Sequence, residues 1–371
     1  MKQIKFLAVA LAALTMFSCS KESIDNVPGK NEPGEKASLT INVTGEGNLK
    51  PASRASGATT SDVTVNDYIV FLFRDGGGID CPPQYSSSNA PMTITAGTTA
   101  AKTAYVVANT GVLAGGKFEG VKTLDDLKKV TDNLMDATNN VSTQTATNLW
   151  MAGTGTTDIA YGTSGDMKKG AVTVALHFVA AKIQLIVKDN RTNKTGGAIS
   201  IEDKEVVLLF AGKTGKFFET APNQAIQTDF YTGDQAYDGH YTGATLSTAL
   251  SDKVETPFTK NDAGTVFNHF YTFGNNGEKM PTILAIKSIK TIDGVEQSAP
   301  IYYPLQFKAE DSGTGIEPGM FYTVTFTLNG DVGNGEGGGT INPENPMVSS
   351  EIEVSVTAAS WTPKAVDKEF N

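Results

Sequence analysis

At 371 residues the chain is longer than one hydrophobic core usually serves, so two domains are expected, and 39% hydrophobic with 19% charged residues is the composition of a folded protein rather than a disordered one. A formal net charge of −10, with no basic stripe interleaved with aromatics, repels a phosphate backbone and excludes nucleic acid as a natural partner. The 38 glycines and the many threonines favour turns and strands over helices, and an all-β protein is expected.

The first eighteen residues read as a bacterial export signal: Lys2 and Lys5 precede the apolar run Phe6–Leu14, which is too short for a durable membrane span. Met16-Phe17-Ser18-Cys19 is similar to a lipobox, in which the cysteine is lipidated and becomes the new N-terminus; Met16 and Phe17 depart from the usual residues, and a plain secretory signal is the alternative. The polar run after Cys19, broken by Pro28, Gly29, Pro33 and Gly34, has the composition of a flexible tether. Ser38–Thr44 then alternates strictly, placing Leu39, Ile41 and Val43 on one face of an extended strand. Ten residues later comes Arg54, one of three arginines in the chain, followed by Ala55.

Val63–Phe73 begins as an alternating strand and becomes continuously apolar, the pattern of a strand buried on both faces, until Arg74-Asp75-Gly76-Gly77-Gly78 stops it. Cys81 beside Pro82 and Pro83 reads as a packed small side chain in a loop; with Cys19 lipidated it has no partner for an intrachain disulfide. Thr103–Asn109 is a further strand. One clear helix opens at Thr123, with Asp126 at the capping-box position and Leu124, Leu127, Val130 and Leu134 along one face. Asn148–Gly153 is a short apolar element, and the polar, glycine-punctuated Gly162–Gly170 reads as an interdomain linker. Ala171–Val187 is either two strands or one long bent strand.

The second half continues with apolar runs at Glu205–Gly212, Val266–Phe273, Pro281–Ile286, Ala299–Leu305 and Met320–Leu328, while Thr220–Thr259 is polar and reads as surface. Short strands parted by turn clusters argue for β-sandwiches. Asn329–Ser350 is a glycine-rich arm, and on its end hangs Glu351–Thr357, which presents Ile352, Val354 and Val356 to one face in nearly the pattern of Ser38–Thr44. Two readings are open: the arm returns its strand to its own sheet, as Greek-key connections do, or carries it to another molecule.

Catalytic chemistry is not legible. The three histidines, His177, His240 and His269, lie at no metal-ligand spacing and in no nucleophile motif, and no carboxylate pair is set up for acid–base work. Asp234–His240 lacks the ligand spacing of a calcium loop. No enzyme, cofactor or metal site is expected. The like-shaped strands at the two ends suggest instead that both fit one groove: the first fills it until the chain is cut near Arg54, and the second, from another copy, replaces it.

Together these pieces resemble the fimbrillin family, the structural subunits of type V pili. The resemblance is carried by Cys19, by Ser38–Thr44 ahead of Arg54-Ala55, by Tyr68–Phe73, by Leu149–Gly153 and by Ile316–Val324. It implies two transthyretin-like β-sandwich domains with one or two short helices, divided as a signal peptide (1–18), a lipidated pro-segment with a removable strand (19–54), an N-terminal sandwich (55–168), a C-terminal sandwich (169–328) and an arm ending in a donor strand (329–371). It further implies lipidation at Cys19, cleavage between Arg54 and Ala55 by an arginine-specific protease, and polymerisation in which Ile352, Val354, Val356 and Trp361 plug the groove left by Leu39, Ile41 and Val43. The precursor would then be an outer-membrane lipoprotein, and its partners other copies or related subunits in a head-to-tail surface filament. The alternatives are a glycan-binding surface lipoprotein with Trp150, Tyr231, Tyr237 or Tyr241 as stacking platforms, and a pilus tip or anchor subunit.

Overall fold

The computed structural model describes residues 34–44, 64–133, 148–155, 161–164, 167–192, 198–212, 214–218, 230–231, 250–258, 264–277, 281–298, 301–308, 315–329, 352–360 and 365–366. The first half of the chain runs β1 (Lys36–Thr44), β2 (Tyr68–Arg74), β3 (Gln84–Ser86), β4 (Met92–Thr98), β5 (Ala101–Ala108), α1 (Leu124–Lys129), β6 (Thr131–Asn133), β7 (Met151–Thr154), β8 (Tyr161–Ser164), β9 (Met167–Ala175) and β10 (His177–Phe178). The second half runs β11 (Ala181–Asp189), β12 (Ile199–Leu209), β13 (Ala211–Gly212), β14 (Thr214–Lys216), β15 (Phe230–Tyr231), β16 (Leu250–Lys253), β17 (Thr265–Thr272), β18 (Ile283–Ile292), β19 (Val295–Glu296), β20 (Ile301–Gln306), β21 (Met320–Leu328), β22 (Ile352–Ser360) and β23 (Ala365–Val366). The all-β expectation holds, with α1 the one helix among the described residues. Its predicted capping box is formed: the Asp126 amide donates to Thr123 Oγ1 and the Thr123 amide to Asp126 Oδ2, both at 3.0 Å.

In the first sandwich the sheet β4-β1-β9-β8 faces the sheet β10-β7-β5-β2-β3, and Leu39, Ile41, Leu72, Val106, Val172 and Val174 meet between them. The continuous apolarity of β2 has the expected cause. Tyr68, Val70 and Leu72 point into this core, while Ile69, Phe71 and Phe73 point out of the opposite face into a second apolar cluster. The second sandwich sets β17-β11-β21-β22-β23 against β16-β12-β18, with β19 and β20 on β18, around Leu185, Val206, Leu208, Ile286, Val324 and Phe326.

The two sandwiches share one plan. The first strand of each, β1 or β11, lies antiparallel to β4 or β17 on one side and parallel to β9 or β21 on the other, and the second strand, β2 or β12, enters the facing sheet. The linker expected at Gly162–Gly170 is instead a hairpin, with Tyr161 opposite Gly170 and Ser164 opposite Met167. Since β9 pairs with β1 along its length and β10 pairs with β7, the strands from 167 to 178 belong to the first sandwich; the chain crosses at the buried Val179-Ala180.

The seam between the sandwiches is aromatic. Trp150 lies 5.4 Å from Phe217 and 6.3 Å from Phe273 between ring centres, Phe118 meets Phe217 edge-on at 5.0 Å, and Lys117 Nζ sits 4.3 Å from the Trp150 ring centre. Beside them β6 pairs with β14, joining the sandwiches by a short ladder. Gly215 is required there, because a Cβ on it would fall 2.3 Å from the Phe273 ring. Trp150 is 4% exposed, so it offers no stacking platform to a sugar.

Trp150→Ala should lower unfolding stability by about 3–5 kcal/mol, as loss of a buried aromatic does; urea denaturation measures this, and a change under about 1 kcal/mol would show that the seam is not a true core.

Candidate functional site

The most distinctive arrangement in the molecule is the slot that holds β1. Alternation buries Ala37, Leu39 and Ile41 completely, each at 0% exposure, and leaves Val43 half-buried at the open end. Burial of a side chain of this size contributes roughly 1.5–3 kcal/mol. The backbone is paired on both sides: Ala37–Thr44 follows Lys168–Ala175 of β9 in parallel register, and Lys36–Ile41 runs antiparallel to β4. Ladder contacts continue past the strand ends, with the Thr99 amide donating to the Glu35 carbonyl at 2.9 Å and the Leu176 amide to the Thr44 carbonyl at 2.9 Å. Opposite Ala37, Gly97 leaves room for Leu39, whose Cδ1 would lie 3.0 Å from a Cβ there. A strand central in its sheet, at the front of the chain and joined to β2 by the single connection 45–63, is what a removable segment requires. Arg54 and Ala55 fall in that connection; they and Cys19 lie outside the described residues.

The second predicted element, β22, lies on its own second sandwich. It runs antiparallel to β21 in continuous register from Leu328 opposite Ile352 to Met320 opposite Ser360, and among the described residues its outer side carries only the short β23 at Ala358 and Ala359. Of the two readings of the arm, the single chain takes the one that returns the strand to its own sheet, with Ile352, Val354 and Val356 opposite Leu328, Phe326 and Val324. Trp361 lies outside the described residues, as do His240, Tyr237 and Tyr241.

The other two arginines are held in ion pairs. The Arg191 side chain is 2% exposed and spans Asp189 at 2.8 Å and Asp203 at 2.7 Å, with Ser288 Oγ donating to Asp203 Oδ1 at 2.8 Å and Arg191 Nη1 donating to the Tyr303 hydroxyl at 3.2 Å. Burial works against the guanidinium charge, but the two carboxylates outweigh it and hold the group above its ordinary value. Arg74, 29% exposed, donates Nε to Asp80 Oδ1 at 2.8 Å, and Asp80 accepts from the Thr98 amide and hydroxyl, each at 2.7 Å.

Sequence reasoning passed over one polar side chain of the slot. Tyr161, on edge strand β8, shares its single hydroxyl proton between the Thr98 carbonyl at 2.8 Å and the Ala101 carbonyl at 3.2 Å. Burial, aided by Asp80 and Cys81, pushes this hydroxyl up to about 12, so it remains a donor at neutral pH. A lone tyrosine between glycines and threonines carries no periodic signal; only strand pairing reveals it. Among the described residues no group of three histidine, cysteine, aspartate or glutamate side chains is placed to hold a metal.

Two family models match the chain: the major fimbrial subunit protein (FimA) over residues 37–201, and the C-terminal domain of FimA-like major fimbrial subunit proteins over residues 180–361. The chain is 25% identical to the major fimbrium subunit FimA type-3 of Porphyromonas gingivalis over 97% of its own length and 98% of the relative's. Among solved structures, a protein of Bacteroides eggerthii classed with cell adhesion proteins is 56% identical, with a TM-score of 0.78 over 90% of this chain and 98% of that one. A Parabacteroides distasonis protein of the same class, at 19% identity and a TM-score of 0.52 over 89% of this chain and all of its own, shows the fold alone.

Cys81 is 6% exposed, and its thiol is pushed up to about 12 by burial first and by Asp80 second, against the opposing charge of Arg74. In a chain beginning at residue 20, where it is the only cysteine, it should resist iodoacetamide at pH 8 until the protein unfolds; labelling of the native protein at the rate of a free peptide thiol would contradict this placement.

Proposed function

This chain belongs to the family of FimA-like major fimbrial subunits, and from that premise we propose that it is a stalk subunit, exported as a lipoprotein, cut after Arg54 and polymerised by strand exchange into the β1 slot. Membership of the family already makes it a structural subunit of a cell-surface fimbria rather than an enzyme. The finer reading rests above all on one observation: β1 is paired on both sides with Ala37, Leu39 and Ile41 buried, yet is joined to the rest of its sandwich only through 45–63.

While that connection is intact, β1 meets its slot at a high effective concentration, and a strand from another molecule loses the competition. The precursor stays monomeric. One cut after Arg54 changes two things at once. It leaves β1 held by noncovalent contacts alone, and it detaches the subunit from the segment that carries Cys19 and its lipid. The site of the cut is selective, because Arg74 and Arg191 are both held in ion pairs within the described part of the fold, Arg191 with its side chain buried.

The replacement is β22 of a neighbour. Its resting place on β21 gives it one full-length partner, whereas the emptied slot offers two, β4 and β9, and a core that takes three branched side chains at roughly 1.5–3 kcal/mol each. The slot is therefore the better host once it is vacant. Slot and donor are different surfaces, so each subunit accepts at one and gives at the other, and the assembly grows as an open filament.

Treatment of the purified precursor with an arginine-specific protease should convert it from monomer to a detergent-resistant ladder, whereas Arg54→Ala should remain monomeric and uncut. Val354→Asp, which places a charge in the slot, should permit the cut but abolish the ladder. A ladder from Arg54→Ala, or a cut wild-type protein that stays monomeric on size exclusion, would overturn the reading.

A further inference from the structure

Removal of β1 poses a structural problem for β4. Among the described residues β4 pairs with no strand but β1, so its departure strips β4 of its ladder. An unpartnered strand over an exposed core would peel away or close onto β9. Several contacts to β4, however, do not pass through β1. Beside its first residues, the Tyr68 hydroxyl of β2 donates to the Ala90 carbonyl at 2.6 Å. At its last residue, Asp80 accepts the Thr98 amide and hydroxyl and is itself fixed by Arg74. At that same residue arrives the Tyr161 hydroxyl.

The origin of Tyr161 gives the last contact its meaning. In the order β4-β1-β9-β8 it stands on the far edge from β4, yet its ring packs against the core cluster that holds Ala37 and Leu39, and its hydroxyl meets Thr98 and Ala101 where β4 turns into β5. Small residues stand at both ends of that reach. Its partner on β9 is Gly170, two residues before the inward Val172, and the inward residue of β1 nearest Thr98 is Ala37.

We propose that Tyr161, with Tyr68 and Asp80, is a brace independent of β1 that keeps the slot open at strand width after β1 leaves, and that Tyr161 makes the Ala37 position a register stop admitting only a small side chain. The proposal rests on the strand-exchange reading above. A preformed slot spares the incoming strand the cost of rebuilding its far wall. The stop also selects a register for Ser350–Thr357. With Ser350 in place of Ala37 and the donor running in the direction of β1, Ile352, Val354 and Val356 take the places of Leu39, Ile41 and Val43; a slip of two residues would drive Ile352 against Tyr161.

The test uses the full chain from residue 20, cut after Arg54 and freed of the cut segment, with fluorescent synthetic peptides of residues 36–46 and 349–360 as probes. Wild type should capture both. Tyr161→Phe and Tyr68→Phe should each capture about tenfold more slowly, as loss of one hydrogen bond predicts, while their uncut forms melt within about 8 °C of wild type. In the 36–46 peptide, Ala37→Leu should weaken capture by wild type about tenfold, and Val43→Leu, at the open end, by no more than about threefold. Capture by both variants at the wild-type rate overturns the brace, and equal binding of the Ala37→Leu peptide overturns the stop. Capture of 36–46 but not of 349–360 overturns the assignment of the donor and leaves the brace to be decided by the 36–46 rates. Should Tyr161→Phe fail to fold, Tyr68→Phe and the peptide series decide alone.

Discussion

The molecule is organised around one strand that its own sheet cannot do without. β1 bridges β4 and β9, and its inward residues fill the centre of the first core. Elsewhere in the fold a strand in that position is secured by chain on both sides: β11, its counterpart in the second sandwich, continues from Val179-Ala180 and is tied at its far end by the Arg191 pairs to Asp189 and Asp203. Under the proposed cut within 45–63, β1 would keep only the noncovalent part of that security. The same plan, used twice, would then give one sandwich that is permanent and one that is conditional.

The ends of the chain are treated in contrasting ways. The front strand is placed in the interior of a sheet, where removing it exposes two ladders and a core. The rear strand is placed outside β21, where removing it exposes one ladder. The difference in partners, rather than in side chains, would give the proposed exchange its direction, since Leu39-Ile41-Val43 and Ile352-Val354-Val356 are close in size and shape.

Much of this was legible because strands advertise themselves by a period of two. Ser38–Thr44 shows its inward face by alternation alone, and Tyr68–Phe73 shows by the lack of alternation that both faces are covered; the second cover is the α1 region, with Phe118, Val121 and Leu127, together with Phe217 and Phe273 of the second half. Thr123 and Asp126 marked the helix start correctly because a cap is a local device. The hairpin at Tyr161–Gly170 reads as a linker in sequence because the start of β9, with Lys168, Lys169 and Gly170, has the composition of a loop, and only its pairing with β1 and β8 reveals it. Trp150 was open to reading as a surface platform because its burial depends on Phe217 and Phe273, far off in sequence. Whether β22 lies at home or abroad is a matter of pairing energy, which side-chain pattern does not encode.

The aromatic seam around Trp150 bears on how such a unit carries force. Rings packed edge-on, tilted and stacked, with Lys117 over them and β6 laddered to β14, tie the halves together. In a filament built by the proposed exchange, a pull at one end would be transmitted through the unit, and give in a string of them would fall at the junctions. There a strand seated along a slot would be dragged lengthwise, so its backbone bonds would share the strain side by side instead of parting one after another.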